Sequence, residues 1–142
     1  IKMPLPAAAF DVKTGAAEPH RGDLLRYLPG VAEDGIASDR LATPESVSPA
    51  QRSDDLFGDS TAPAAALIGT SYSADPSWGF EAALKKSLGA DVINLADEGL
   101  GPFSVMKNYL DKKPLTAHPP LLVIWEIPER YLILPEKDFV KE

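Results

Sequence analysis

The sequence predicts an α/β fold with a parallel sheet, because three apolar runs alternate with two amphipathic segments. The runs are short, aliphatic and bounded by turn residues, which is typical of strands buried on both faces of a parallel sheet. They lie at Ala64–Ile68, Asp91–Leu95 and Leu121–Trp125. Right-handed crossovers through the two connecting segments would place these strands side by side, as in a doubly wound, three-layer sandwich.

The first connecting segment has the caps and the apolar stripe of a helix. Ser77 is a candidate N-cap, and the predicted helix runs to Leu88. Phe80, Leu84 and Leu88 recur on one face, and Gly89 is the predicted C-terminal cap. This segment therefore predicts the helix between the first two strands.

The second connecting segment also predicts a helix. It begins at Gly101-Pro102, and proline is favoured at the first helical position. Its apolar stripe consists of Phe103, Met106, Tyr109 and Leu110. The order of elements from residue 62 onward is therefore β-α-β-α-β.

The chain divides near residue 61 into two unlike halves, which we assign to one domain because 142 residues is the length of an ordinary domain. Residues 62–142 form the predicted parallel core. Residues 1–61 are polar and rich in Pro and Gly, and predict a loop-rich segment with one short helix at Gly22–Leu28. Val31–Ser60 offers no core face, which predicts a lid, a crossing loop or partial disorder.

Composition excludes several classes of function. Fourteen basic residues against 21 acidic ones give a net charge of −7, and no basic cluster indicates nucleic acid or an anionic membrane surface as partner. The absence of cysteine excludes disulfides and thiol chemistry. No apolar run is long enough to span a bilayer. Nothing in the sequence predicts a cofactor or a metal ion.

Polar residues follow all three predicted strands. Because the carboxyl ends of parallel strands meet at one edge of a sheet, these residues predict a single site there. A serine at a turn into a helix is a candidate nucleophile, and glycine-rich backbone nearby can supply N–H donors to an oxyanion. The candidates are Ser71 and Tyr72 after the first strand, Gly99 and Gly101 after the second, and Glu126 and Arg130 after the third.

Each candidate also has a plainer interpretation, and the sequence leaves both open. A serine after a strand often serves a turn or a cap, and glycines often only satisfy turn geometry. Glu126, Glu129 and Arg130 could form a solvated set of ion pairs of little energetic value. Tyr72 and Trp78 are interpreted as packing residues in preference to rings on which a sugar stacks.

A serine nucleophile needs a general base, and the sequence contains two histidines. His118 precedes the third strand and so belongs to the opposite end of the sheet, about 17–20 Å away along a strand of five or six residues. His20 lies in the loop-rich half, where nothing fixes its position. The sequence therefore predicts a nucleophile without a matching base.

Three motifs in order resemble the bacterial alginate O-acetyltransferases, a periplasmic SGNH-hydrolase-like (flavodoxin-like) family of exopolysaccharide acetylation. They are Gly69-Thr70-Ser71-Tyr72-Ser73, the stretch from Asn94 to Phe103, and the stretch from Trp125 to Leu132. The resemblance covers residues 62–134 closely. It implies transfer of an acetyl group onto hydroxyls of a uronate polymer through a serine acyl-enzyme, with acetylesterase activity or non-catalytic polysaccharide binding as alternatives.

The resemblance also implies roles for the candidate residues. Ser71 occupies the position of the nucleophile, and Gly99 or Gly101 that of the oxyanion glycine. Glu126 and Arg130 stand where the ordinary SGNH pattern has an oxyanion asparagine, and Arg130 is expected to bind a uronate carboxylate. Tyr72 and Glu126 are further candidate substrate contacts. The implied partners are an acidic polysaccharide and an acetyl donor or acetyl-passing membrane protein.

The Asp-x-His motif that supplies the base in this family lies well upstream of the serine, and no Asp-x-His occurs in these 142 residues. Together with the N-terminus Ile1-Lys2-Met3, this leads us to expect a fragment of a longer protein, inactive alone. A third class of function, a nucleotide-binding flavodoxin-like domain, is disfavoured because the predicted edge is acidic and has no glycine-rich cradle with a lysine.

Overall fold

A computed structural model describes residues 4–8, 10–20, 39–47, 63–112 and 119–133. The elements within these ranges are β1 (Asp11–His20), β2 (Asp39–Val47), β3 (Ala65–Ile68), α1 (Ser71–Ala74), α2 (Phe80–Leu88), β4 (Val92–Asn94), α3 (Gly101–Lys112) and β5 (Leu122–Trp125). Short 3-10 turns lie at Pro76–Trp78 and Glu129–Tyr131. None of the helices in these ranges has the length and apolar character needed to cross a bilayer.

The three predicted strands form one parallel sheet in the order β4-β3-β5. β3 is central, and Ala65 pairs with Val92 on one side and with Leu122 on the other. The strands are one or two residues shorter than the apolar runs that predicted them. The predicted α/β fold with a parallel sheet is therefore confirmed. β3 lies in the middle and is hydrogen bonded to both other strands.

The core lies on both faces of β3, because successive side chains of a strand point to opposite faces. On one face Ala65 and Leu67 are fully buried, and Leu84 and Leu88 of α2 pack against them. On the other face Ile68 packs with residues of α3 and of the loop before it, among them Val105, Met106, Tyr109 and Leu100. The sheet is therefore the middle of three layers, and β3 is a rigid base for the turn that follows it.

The start of α2 differs from the prediction. Ser77 is not its N-cap, because a 3-10 turn precedes the helix and the carboxylate of Asp75 accepts the hydrogen bond of the Ser77 backbone N–H. α2 begins at Phe80 after Gly79. The predicted C-cap is confirmed: Gly89 has a φ of 57°, a left-handed conformation that glycine adopts without steric cost.

Replacing Ser77 with alanine is expected to leave the free energy of unfolding unchanged or to raise it by up to about 1 kcal/mol. The Ser77 hydroxyl is buried and has no hydrogen-bond partner among the described residues, so its removal relieves a desolvation penalty. Urea unfolding of the variant measures the change. Ser87→Ala, at an exposed position of α2, is the control for the change in side-chain type. A clear loss of stability specific to Ser77→Ala would contradict this expectation.

The first half of the chain contains two strands that the sequence analysis did not predict. β1 and β2 pair antiparallel from Asp11 opposite Val47 to His20 opposite Asp39, with a bulge between Thr14 and Ala17. Most β1 residues are exposed, so the apolar alternation that indicates a strand is missing. The two-stranded ribbon of β1 and β2 is held together by backbone hydrogen bonds.

The interpretation of 31–60 as a segment without regular structure is therefore wrong for Asp39–Val47. The predicted helix Gly22–Leu28 lies outside the described residues. The ribbon packs against the start of α2, where a Cβ on Gly79 would lie 2.5 Å from Cγ of Pro44. The first half is thus joined to the parallel core at this point.

Candidate functional site

The candidate nucleophile lies on the tight turn that joins β3 to α1. Gly69 and Thr70 follow the buried strand, and Ser71 is the first residue of α1. The Thr70 carbonyl accepts hydrogen bonds from the backbone N–H groups of Ser73 and Ala74, both at 2.9 Å, which closes the turn. Ser71 is half-buried, whereas Thr70 and Ser73 are buried. The turn therefore holds Ser71 at the carboxyl end of the central strand.

The loops after β4 and β5 are hydrogen bonded to the end of β3. The Asp97 N–H donates to the Gly69 carbonyl at 3.2 Å, and the Glu126 N–H donates to the Ile68 carbonyl at 2.8 Å. The prediction that the three strand ends meet at one edge of the sheet is confirmed by these contacts. The loops that carry the candidate residues therefore meet at one edge of the sheet.

Glu126 turns inward beneath the Ser71 turn. Its Oε2 accepts hydrogen bonds from the Thr70 backbone N–H at 2.7 Å, the Thr70 hydroxyl at 2.8 Å and the Ser73 hydroxyl at 3.2 Å. The plainer interpretation of this residue as part of a solvated ion pair is wrong. Oε2 is thus engaged by three donors within the protein, and the role of Glu126 as a substrate contact stays a prediction.

Asn94 is a structural residue of the site that the sequence analysis did not select. Its Nδ2 donates to the Ser73 carbonyl at 2.7 Å, and its Oδ1 accepts the Ala96 N–H at 3.1 Å. The side chain thereby joins the end of β4 to α1. The available signal was an amide residue at the last position of a buried strand, where an unpaired polar group would be costly.

Arg130 lies between two tyrosines at the outer side of the site. Its guanidinium carbon is 5.3 Å from the ring centre of Tyr72 and 5.0 Å from that of Tyr131, within cation–π range. Nη1 also donates to the Tyr72 hydroxyl at 3.4 Å. Burial lowers the pKa of Arg130, but hydrogen bonds to the tyrosines outweigh it and raise the pKa, so the side chain stays cationic. Tyr131 is a contact that the sequence analysis did not select.

The aromatic surface continues from Tyr72 to Trp78 and His20. The ring centres of Tyr72 and Trp78 are 6.4 Å apart, and His20 meets Trp78 edge-on, also at 6.4 Å. Tyr72 and Trp78 are each 49% exposed, so each ring packs against its neighbours with part of its surface and presents the rest to solvent. Tyr and Trp are enriched at interfaces, because each combines an apolar ring with a polar group.

Gly99 lies in the loop between β4 and α3, and Gly101 is the first residue of α3; their φ values are 78° and 75°. Gly101 is buried, and a Cβ there would lie 3.2 Å from Cε1 of Tyr131. The loop after β4 therefore packs directly against the loop after β5. This places the glycine-rich backbone at the same edge of the sheet as Ser71.

Neither histidine supplies a base to Ser71 in the part of the chain that the structure describes. His118 lies outside that part, and His20 contacts Trp78. No hydrogen bond joins the Ser71 hydroxyl to any described residue. The described ranges also contain no cluster of His, Asp or Glu side chains that could bind a metal ion.

A three-layer α/β fold with a serine on the turn after its central strand, and with the other strand ends beside it, defines an SGNH hydrolase-like domain. The family described as "SGNH hydrolase-like domain, acetyltransferase AlgX" matches residues 3–129. The chain therefore belongs to this family, as the resemblance of its three motifs predicted.

Curated relatives support the same assignment. The chain is 44% identical over 144 residues to a Pseudomonas aeruginosa protein named "Probable alginate O-acetylase AlgJ", covering 92% of the chain and 36% of that protein. It is 38% identical over 139 residues to the Azotobacter vinelandii protein of the same name, covering 92% of the chain and 35% of that protein. The chain thus spans about a third of the length of these relatives.

Two solved structures share the fold. The O-acetyltransferase domain of Pseudomonas putida AlgJ superposes with a TM-score of 0.76 at 35% identity, covering 92% of this chain and 43% of that one. Pseudomonas aeruginosa AlgX gives a TM-score of 0.69 at 30% identity, covering 87% of this chain and 29% of that one. The predicted SGNH-hydrolase-like fold is therefore confirmed.

Proposed function

We propose that this chain carries the nucleophile of an O-acetyltransferase that acetylates hydroxyl groups of alginate. The observation that carries the proposal is the position of Ser71, on a closed turn at the edge where all three strand ends meet. The transferred group, acetyl, and the acceptor polymer, alginate, are inferred from the names of the AlgJ relatives. Because the chain spans about a third of the length of these relatives, the activity of the whole protein is part of the proposal.

The proposed reaction has two acyl transfers through Ser71. In the first, the Ser71 Oγ attacks the acetyl carbonyl of the donor, and the donor leaves with the proton taken from Oγ. In the second, a sugar hydroxyl attacks the acetyl ester, and Ser71 regains its proton. Backbone N–H groups at Gly99 or Gly101 would stabilise the negative oxygen that develops in each step. The base would be the histidine of the Asp-x-His motif that the family resemblance implies.

Arg130 and the adjacent rings are the proposed acceptor site. A guanidinium presents paired hydrogen-bond donors that match the two oxygens of a uronate carboxylate. The exposed ring of Tyr72 can contact the apolar face of the same sugar, and Trp78 that of its neighbour. The donor, or an acetyl-passing membrane protein, is the second proposed partner, and a periplasmic location accords with an exported polysaccharide.

The proposal predicts that Ser71 becomes acetylated. The intact protein is mixed with 4-nitrophenyl acetate, quenched in acid and digested, and the peptide containing Ser71 is expected to carry one acetyl group. Addition of alginate oligosaccharides should remove this group and leave acetyl esters on the sugar.

The same experiment separates the alternatives. Release of free acetate without sugar acetylation indicates an acetylesterase. Binding of the oligosaccharide with no acetylation of Ser71 indicates a non-catalytic polysaccharide-binding domain. Acetylation of another side chain in place of Ser71 would contradict the proposal.

A further inference from the structure

We propose that Glu126 is a positioning residue for the nucleophile, an inference that rests on the proposed role of Ser71. The carboxylate contacts residues on both sides of Ser71 in the sequence. Thr70, immediately before it, donates through its backbone N–H and its hydroxyl at 2.7 and 2.8 Å, and Ser73, two residues after it, donates through its hydroxyl at 3.2 Å. One oxygen atom thus holds both ends of the short segment that carries the nucleophile.

The position of Glu126 is itself fixed by the sheet. Its backbone N–H donates to the Ile68 carbonyl at 2.8 Å, directly beyond the pairing of Ile68 with Trp125. The Cα of Glu126 is therefore fixed relative to the end of β3. A carboxylate anchored in this way can hold the turn at a constant distance from the strand.

Gly69 provides the space that this carboxylate occupies. A Cβ on Gly69 would lie 2.7 Å from Glu126 Oε2 and 2.8 Å from Ser73 Oγ. Gly69 is absent from the glycines of the described residues that have a positive φ, so backbone conformation is not what requires glycine. The close approach of Glu126 is a sufficient reason for glycine in the Gly-Thr-Ser motif.

Burial makes these hydrogen bonds important. Thr70 is 4% exposed and Ser73 is 2% exposed, so neither hydroxyl can turn to solvent if the carboxylate is removed. Hydrogen bonds to an ionised acceptor are shorter and stronger than neutral ones. Loss of Glu126 would leave two buried hydroxyls and one backbone N–H without this acceptor, and the segment carrying Ser71 would relax.

A positioning role and a substrate contact make opposite predictions. A residue that orients Ser71 affects the reaction with every acyl donor, including a reagent that carries no sugar. A residue that touches the polymer affects polymer binding and leaves the reaction with a small reagent unchanged. The rate of labelling by a fluorophosphonate, which reacts with activated serines, therefore separates the two roles.

The test compares Glu126→Ala, Glu126→Gln and Thr70→Val in the intact protein, with Glu129→Gln as the matched control. Glu129 is exposed on the same loop, three residues further on. We expect Glu126→Ala to slow labelling of Ser71 on the order of tenfold, because small displacements of a nucleophile are costly. Glu126→Gln, which keeps the shape and one acceptor oxygen, should recover part of the rate. The dissociation constant for alginate oligosaccharides should stay unchanged throughout.

Thr70→Val removes one donor to the carboxylate and keeps the side-chain shape, so it tests the proposal even if Glu126→Ala fails to fold. Introduced alone, it should slow labelling of Ser71. In a double variant with Glu126→Gln it should slow labelling no further, because the effects of substitutions at interacting residues do not add. Labelling of the Glu126 variants at the rate of Glu129→Gln, or weakened polymer binding with normal labelling, would overturn the inference. Absence of labelling in the wild-type protein would instead contradict the proposed function.

Discussion

Replacing Ser71 with alanine is expected to abolish acetyl transfer by the intact protein, with kcat falling by about 10⁴-fold or more. The neighbouring hydroxyls cannot take its place. Those of Thr70 and Ser73 are buried and donate to the carboxylate of Glu126, so they are neither accessible nor free to attack. Only binding and oxyanion stabilisation would then remain to promote the reaction.

The control is Ser87→Ala, which removes a hydroxyl from an exposed position on α2 and should leave kcat unchanged. Urea unfolding checks that both variants fold, and a half-buried serine should contribute within about 0.5 kcal/mol to stability. Acetyl transfer by folded Ser71→Ala within about tenfold of the wild-type rate would contradict the assignment of Ser71 as nucleophile.

The parallel core was predictable because its signals are local. β3 is buried on both faces, so its apolar run is continuous, and its two core clusters follow from the alternation of side chains. The ribbon of β1 and β2 was not predictable, because its stability depends on pairing between residues such as Asp11 and Val47 that are far apart in sequence. Exposed strands leave no apolar period to recognise.

The edge of the sheet that carries the site was predictable for a related reason. A residue that directly follows a parallel strand lies at that strand's carboxyl end, so Ser71 and the two other loops had to meet. The direction of individual side chains was not predictable. Glu126 and Arg130 follow the same strand as charged residues, yet Glu126 turns inward to the Ser71 turn and Arg130 outward between two tyrosines. Only the three-dimensional packing separates their roles.

Replacing Arg130 with glutamine is expected to raise KM for alginate oligosaccharides by about 10- to 100-fold, because paired hydrogen bonds between charged groups are lost. The rate of Ser71 labelling by a fluorophosphonate should not change, since that reagent carries no carboxylate. Lys86→Gln removes the same charge from an exposed position on α2 and should leave KM unchanged. Arg130→Lys should recover part of the loss, because an ammonium supplies charge without the planar fork.

Alginate oligosaccharides whose carboxylates are converted to methyl esters test the same contact from the side of the substrate. If Arg130 contacts the carboxylate, esterification should raise KM for the wild-type protein. It should have little further effect on KM for Arg130→Gln, since the two changes remove the same interaction. Tyr72 and Trp78 remain in place in both cases, so contacts of the rings with the sugar cancel in this comparison. An equal rise in KM on esterification for the wild-type protein and for Arg130→Gln would show that another residue recognises the uronate charge. Arg130 would then serve to hold Tyr72 and Tyr131 in place, and its effect on KM would be indirect.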